Sequence, residues 1–336
     1  MQRKRIYVAY TGGTIGMRPS SKGYVPVAGF LSQTLRGMPE FHRPEMPEFD
    51  IHEYDELIDS SDMAPHHWQQ IANDIAAHYE EYDGFIILHG TDTMAYTASA
   101  LSFLFNDLDK PVIVTGSQIP LAELRSDGQV NLLNALYLAA NYPIPEVSLF
   151  FNNKLLRGNR SRKTDADGFD AFTSPNYPPL LEAGINIELV TGKVVPAQGK
   201  SLSVQQVIPQ PIGVVTLYPG ISVEVIRNTL QQPVNALILL SYGVGNAPQN
   251  DAVLSLLQEA YENNTIVVNC TQCMHGKVNM EGYATGKALQ QVGVVSGMDM
   301  TLEATLAKLH CLLSMNISAD EVRQKMTLNL RGELTP

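Results

Sequence analysis

Small hydroxyl residues, one carboxylate and one lysine recur just beyond the apolar runs of this chain. Thr14 lies in Thr11-Gly12-Gly13-Thr14-Ile15-Gly16, directly after an apolar run at 6–10. Thr91 and Asp92 lie in Gly90-Thr91-Asp92-Thr93 after the run at 84–89, and Gly116-Ser117-Gln118 follows the run at 112–115. Lys163 comes soon after the run at 147–151 and Asn152-Asn153, in a basic stretch with Arg157, Arg160 and Arg162. A hydroxyl nucleophile needs a group to remove its proton and donors to hold the oxyanion that forms. Gly12 and Gly13 permit a tight turn that exposes Thr14 and lets the backbone approach a ligand. Thr91 and Asp92 offer a second hydroxyl and a carboxylate at a helix start, and a partly buried Lys163 could accept a proton through a threonine hydroxyl. Taken singly, these are a turn residue, a helix cap and a solvated charge. Their co-occurrence after successive strands argues for a site.

Competing chemistries have weaker footing. The glycines of 11–16 match neither G-x-G-x-x-G nor G-x-x-x-x-G-K-[ST], and neither pattern occurs elsewhere in the chain, so the loop is not read as a phosphate cradle. The G-x-S-x-G elbow of serine hydrolases is absent. The three cysteines, Cys270, Cys273 and Cys311, are an odd number and argue against a disulfide framework. Cys270-Thr271-Gln272-Cys273 is formally C-x-x-C, but no second C-x-x-C completes a zinc site and residue 274 is Met. Two thiols packed near a strand end are the preferred reading, and no metal site is expected.

The elements that must position these residues alternate regularly. Strands are expected at 6–10, 84–89, 112–115, 147–151, 214–218, 236–241 and 266–269, each short and nearly continuous in apolar residues, as in parallel strands covered on both faces. Helices are expected at 65–82, 94–105, 129–140, 222–231, 251–263 and 302–313. The first carries Trp68, Ile71, Ala72, Ile75 and Tyr79 on one face, with Asp62 as a cap ahead of Pro65. This alternation predicts an α/β fold of two α/β domains with mostly parallel sheets. The larger N-terminal domain spans 1–188 and carries the site. A linker covers 189–210, where periodicity fades among Pro196, Pro209 and Pro211, and a smaller C-terminal domain spans 211–336. In open parallel sheets, sites form beyond the carboxyl ends of the strands, which is where the hydroxyl residues, Asp92 and Lys163 fall.

Composition sets the bounds. The 336 residues are 44% hydrophobic and 17% charged, a composition with ample core. A formal net charge of −11 disfavours nucleic acid and anionic membranes as partners. No apolar run approaches the roughly 20 residues of a spanning helix, and the basic start is followed by too short an apolar stretch for a signal peptide. A cytoplasmic location is expected.

Two stretches are more specific than a glycine loop. "VAYTGGTIG" (8–16) and "GFIILHGTDTM" (84–94) resemble the two signature motifs of the L-asparaginase family. "TGSQIPLAELRSDGQVNLLNA" (115–135), "SSDM" (60–63) and "DGFDAFTSPN" (167–176) are similar to further blocks of that family, so the resemblance covers essentially the whole chain, and the short basic start is nearest to the cytosolic type I bacterial enzymes. The resemblance implies hydrolysis of L-asparagine to L-aspartate and ammonia through an acyl-enzyme, without metal or cofactor. It implies Thr14 as the nucleophile, ranked above Thr91, with Tyr24 beside it, and Thr91, Asp92 and Lys163 as a hydroxyl-acid-lysine set. Ser60 and Ser61 would hold the α-carboxylate near a helix start, and Asp92 would also pair with the α-ammonium, so that both ends of a zwitterion are read. Ser60-Ser61 stands where secreted members carry Ser-Gln, and Arg162 stands where relatives often carry a small polar residue. The resemblance also implies a homo-oligomer, a tetramer of intimate dimers, with Asn246 a candidate to complete a neighbour's site. Tyr242, Thr271 and Cys273 close adjacent strand ends of the smaller domain and could line a second, regulatory asparagine pocket.

Four rival readings remain open at this stage. A broader asparaginase/glutaminase is one, since an added methylene is discriminated by only about 1–3 kcal/mol. The amide-hydrolysing subunit of a tRNA-dependent amidotransferase would call for an added domain and a basic surface. A non-catalytic amino-acid sensor would be expected to lack one of Thr14, Thr91, Asp92 or Lys163, and all are present. A redox role through Cys270 and Cys273 would be abolished by thiol alkylation.

Overall fold

The computed structural model describes residues 3–21, 23–231 and 233–336. They divide into two compact units at Gln205/Gln206. In the first unit the order is β1 (Arg5–Tyr10), β2 (Met17–Ser20), β3 (Gly23–Pro26), α1 (Phe30–Arg36), β4 (Glu48–Glu53), α2 (Pro65–Ala77), β5 (Gly84–Leu88), α3 (Met94–Leu104), β6 (Phe105–Asn106), β7 (Val112–Thr115), α4 (Gly128–Asn141), β8 (Val147–Phe151), β9 (Lys154–Arg157), β10 (Arg162–Lys163), β11 (Phe172–Thr173), β12 (Leu181–Ala183), β13 (Ile187–Leu189) and β14 (Ser203–Val204).

The main sheet has eight strands in the order β13-β12-β9-β8-β7-β5-β1-β4. From β8 to β4 every pairing is parallel; β9, β12 and β13 add an antiparallel flank. Register aligns the strand ends. Tyr10 stands opposite both Glu53 and Leu88, and Leu88 opposite Thr115, so the loops after β1, β4, β5 and β7 leave the sheet at one level. The chain runs from β1 to β4 on one side and then to β5 on the other, which makes the β1/β5 crevice a topological switch point.

The central strands are apolar on both sides because both are covered. Ile6, Val8, Tyr10, Ile86, Leu88 and Ile113 pack against Leu132, Ala135, Leu136 and Ala139 of α4. Tyr7 and Phe85 alternate to the opposite face, where Tyr79 beyond α2 stacks on Phe85. Each fully buried Leu or Ile contributes about 1.5–3 kcal/mol. The second unit comprises β15 (Ile212–Thr216), α5 (Val223–Gln231), β16 (Ala236–Ser241), α6 (Asp251–Glu262), β17 (Ile266–Thr271), α7 (Ala284–Gln291), β18 (Val295–Ser296), α8 (Leu302–Leu313) and α9 (Ala319–Met326). Its sheet, β15-β16-β17-β18, is wholly parallel with an apolar cluster on each face.

Several expectations shift. The strand expected at 214–218 occupies Ile212–Thr216, because Ile212 pairs with Ala236 and Tyr218 lies half exposed beyond it. The helix expected at 65–82 closes at Ala77. The segment expected as a linker, 189–210, is bound to the first unit as far as Gln205. Val190 and Gly192 amides donate to the Leu180 carbonyl, and Val195 to that of Pro143. Gln198 and Lys200 amides donate to Asp109, and β14 pairs with β6. Backbone bonds rather than an apolar face hold this stretch, so it has no periodicity to read. Cys270 is buried in β17 with its thiol near the Thr305 hydroxyl, while Cys273 is exposed. Burial pushes the Cys270 thiol up to about 11, which disfavours the thiolate that redox exchange requires. Among the described residues no helix is long and apolar enough to cross a membrane.

Candidate active site

Three turns stack at the carboxyl edge of the main sheet. The turn after β1 is held by Thr11, whose amide and hydroxyl both donate to the Leu88 carbonyl at 3.1 and 2.9 Å. The Ile58 amide in turn donates to the Thr11 carbonyl at 2.7 Å. Gly13, at φ 93°, has its Cα against the Gly90 backbone, and Gly90 lies against the Ser60 side chain; a Cβ on either would collide. The Thr93 hydroxyl donates to the Ser60 carbonyl at 2.7 Å. Glycine at these two positions is what allows the turns carrying Thr14, Ser60 and Thr91 to approach this closely.

Thr91 is the most constrained member. It is 7% exposed, and its hydroxyl donates to Gln118 Oε1 at 3.0 Å while accepting from Lys163 Nζ at 2.9 Å. Lys163 Nζ also donates to Asp92 Oδ1 at 2.7 Å. Lys163 reaches the site from β10, which β11 holds by antiparallel pairing. Asp92 is largely exposed, so the ion pair contributes little stability and serves mainly to orient the lysine.

Thr14 opens a short 3-10 turn, Thr14–Gly16, and is partly buried. Its hydroxyl has no hydrogen-bond partner among the described residues. Tyr24 lies on β3, opposite Pro19 of β2 and half exposed. Ser60 is buried at the head of the turn Ser60–Asp62. Ser61 is differently placed: its amide and hydroxyl both donate to Asp59 Oδ1 at 2.9 Å.

A neutral histidine lies beneath the Gly90–Thr91 turn. His89 Nδ1 lies 2.7 Å from the Gly90 carbonyl, which can only accept, so Nδ1 carries the proton. Nε2 accepts from the Thr97 hydroxyl at 2.8 Å, and Thr97 accepts from Trp68 Nε1 at 3.2 Å. Complete burial lowers the His89 pKa to about 4, and both nitrogens are engaged, so this imidazole supports the turn and is not placed to take protons.

Direct bonds therefore join Thr91, Asp92 and Lys163, and stacked turns bring Thr14 and Ser60 beside them. Asn246 belongs to the second unit, in a turn where it exchanges backbone hydrogen bonds with Tyr242, and its Oδ1 accepts from Thr285 at 2.7 Å. Thr271 donates to the Gly243 carbonyl and accepts from the Cys273 amide, while the Tyr242 hydroxyl is buried with no partner among the described residues. Sequence reasoning assigned no role to Gln118 and Asp59. Asp59 had a detectable signal, a cap residue preceding Ser60-Ser61; Gln118 had only its place three residues past a strand.

Comparison with known proteins gives the family of the chain. A family model described as "Asparaginase, N-terminal" matches residues 5–194, and "Glutaminase/Asparaginase C-terminal domain" matches 211–326. The chain is 68% identical to L-asparaginase 1 of Escherichia coli (strain K12) over 336 residues, covering 100% of this chain and 99% of that one. The crystal structure of L-asparaginase I from Vibrio cholerae O1 biovar eltor is similar with a TM-score of 0.95 at 70% identity, covering 99% of this chain and 100% of the other. The thermostable L-asparaginase from Thermococcus kodakarensis gives a TM-score of 0.87 at 33% identity over 99% of both chains.

Proposed function

Because the chain belongs to the asparaginase family, within its type I bacterial L-asparaginases, we propose that it hydrolyses L-asparagine to L-aspartate and ammonia with Thr14 as nucleophile. The observation that carries this reading is the bonded set Thr91–Lys163–Asp92, at 2.9 and 2.7 Å, stacked against the turn of Thr14. The Thr14 hydroxyl oxygen attacks the side-chain carbonyl carbon. Its proton passes, with help from Tyr24, toward the departing amide nitrogen, and ammonia leaves an aspartyl ester on Thr14. Water then attacks the ester. Its proton passes through the Thr91 hydroxyl toward Lys163, and Thr14 recovers its proton as aspartate is released.

Ser60 receives the α-carboxylate, with Ser61 joining only if it leaves Asp59, and Asp92 takes the α-ammonium, which fixes the amide over Thr14. No metal or cofactor takes part. The protein acts in the cytoplasm as a tetramer of intimate dimers, and Asn246 of the partner subunit completes each site. Tyr242, Thr271 and Cys273, at the adjacent ends of β16 and β17, line a regulatory asparagine pocket.

The test is product analysis with the purified protein. Equimolar ammonia and L-aspartate from L-asparagine, with slower release from L-glutamine, is the expected result. Saturable binding of asparagine without release of either product would overturn the reading in favour of a sensor.

A further inference from the structure

The segment between β7 and α4 leaves the sheet at Gly116 and returns at Asp127, closed at its neck. The two Asp127 carboxylate oxygens accept from the Gln118 amide at 3.1 and 3.0 Å, and Oδ1 also accepts from the Ile119 amide at 3.0 Å. The Ser126 hydroxyl donates to the Ile119 carbonyl at 2.9 Å. Asn131 Nδ2 donates to Asp127 Oδ2 at 3.2 Å and to the Gly116 carbonyl at 3.0 Å, tying the same neck to the first turn of α4.

This loop touches the site at two points. Gln118 Oε1 accepts the Thr91 hydroxyl, and the Leu121 amide donates to the carbonyl of Ile15, the residue after Thr14, at 3.1 Å. One closed loop thus spans both threonine turns. Asp127 occupies the N-cap position of α4, where an aspartate ordinarily accepts from amides of its own helix. It makes no such bond; the Gly128 amide is taken by the Ser126 hydroxyl instead. Arg125 is held at φ 65°, a strained conformation for a non-glycine residue that persists only where its surroundings enforce it. The carboxylate is spent on the loop, not on the helix.

We propose that Asp127 is a positioning residue for the hydrolysis: by clamping Gln118 and Ile119 it sets, through Gln118, the direction of the Thr91 hydroxyl. The proposal rests on Thr91 belonging to the reacting set. With the clamp removed, the Gln118 carboxamide loses its fixed origin, and the Thr91 hydroxyl is no longer held in place between Gln118 and Lys163. Ground-state binding of asparagine is affected little, because Ser60 and Asp92 are on other turns.

The experiment measures kcat and KM for L-asparagine in Asp127→Ala, Gln118→Ala and the double variant, with Thr91→Val as control. Asp127→Ala is expected to lower kcat by about 10- to 100-fold with KM nearly unchanged. The double variant is expected to be no slower than Gln118→Ala alone, because the two act through one contact. A merely structural role would give losses that multiply, and that outcome, or a wild-type kcat in Asp127→Ala, overturns the proposal. If Asp127→Ala does not fold, Asp127→Asn keeps the volume and one acceptor and is read by the same non-additivity. Full activity in Thr91→Val would instead remove the assignment of Thr91, and the proposal with it.

Discussion

Thr14 and Thr91 follow neighbouring parallel strands that end at the same level, yet the protein treats them differently. Thr91 is buried and fully engaged, donating to Gln118 and accepting from Lys163. Thr14 is only partly buried, and its hydroxyl has no partner among the described residues. A hydroxyl whose proton and lone pair are both committed is pre-organised to relay a proton. One with neither committed is available to attack a ligand and to make its bonds in the transition state, where they accelerate the reaction. The same fold edge thus presents one committed and one uncommitted hydroxyl, which suits the proposed roles of relay and nucleophile, and the difference lies in which loops close over each.

The largest effect expected from breaking this contrast comes from Lys163→Met. It removes the amine end of the proposed relay and is expected to lower kcat by about 10²–10⁴-fold. Stability should change by no more than about 1 kcal/mol, since the Asp92 carboxylate left behind is two-thirds exposed to water (66%). Steady-state kinetics beside a urea titration checks both halves; a loss of activity matched by a large loss of stability would point to a structural lysine.

The placement of this candidate site was largely legible because each motif follows an apolar strand, and parallel strands place such motifs along one edge. Thr14, Thr91 and Asp92 could be read that way. Gln118 and Asp59 could not be assigned, because their roles arise from loop closure: Gln118 meets Thr91 across 27 residues, and Asp59 turns back on Ser61. In the fold, strand β4 carries no continuous apolar run because it alternates, Glu48 and Asp50 with Phe49 and Ile51, as an edge strand does. The antiparallel flank β9, β12 and β13 has three or four residues per strand, too few for a period to emerge.

A smaller effect concerns the support under the Thr91 turn. Burial lowers His89 to about 4, against 6.5 for the exposed side chain, and His310 in the second unit likewise to about 4. The unfolded chain therefore binds these protons first. The stability that depends on neutral imidazoles is complete above pH 6.5 and is lost as the pH falls toward 4. Thermal midpoints recorded between pH 7 and 4.5 should fall less steeply in His89→Gln than in the wild type. An identical fall in both would place the titration elsewhere.

The contrast between the two threonines is tested most directly by finding which one carries the acyl group. Lys163→Met, in which hydrolysis of the ester is slowed, would be mixed with L-asparagine, quenched in acid and digested for mass spectrometry. The account predicts an aspartyl adduct on the peptide containing Thr14 and none on the peptide containing Thr91. An adduct on Thr91 would contradict it and reverse the two roles.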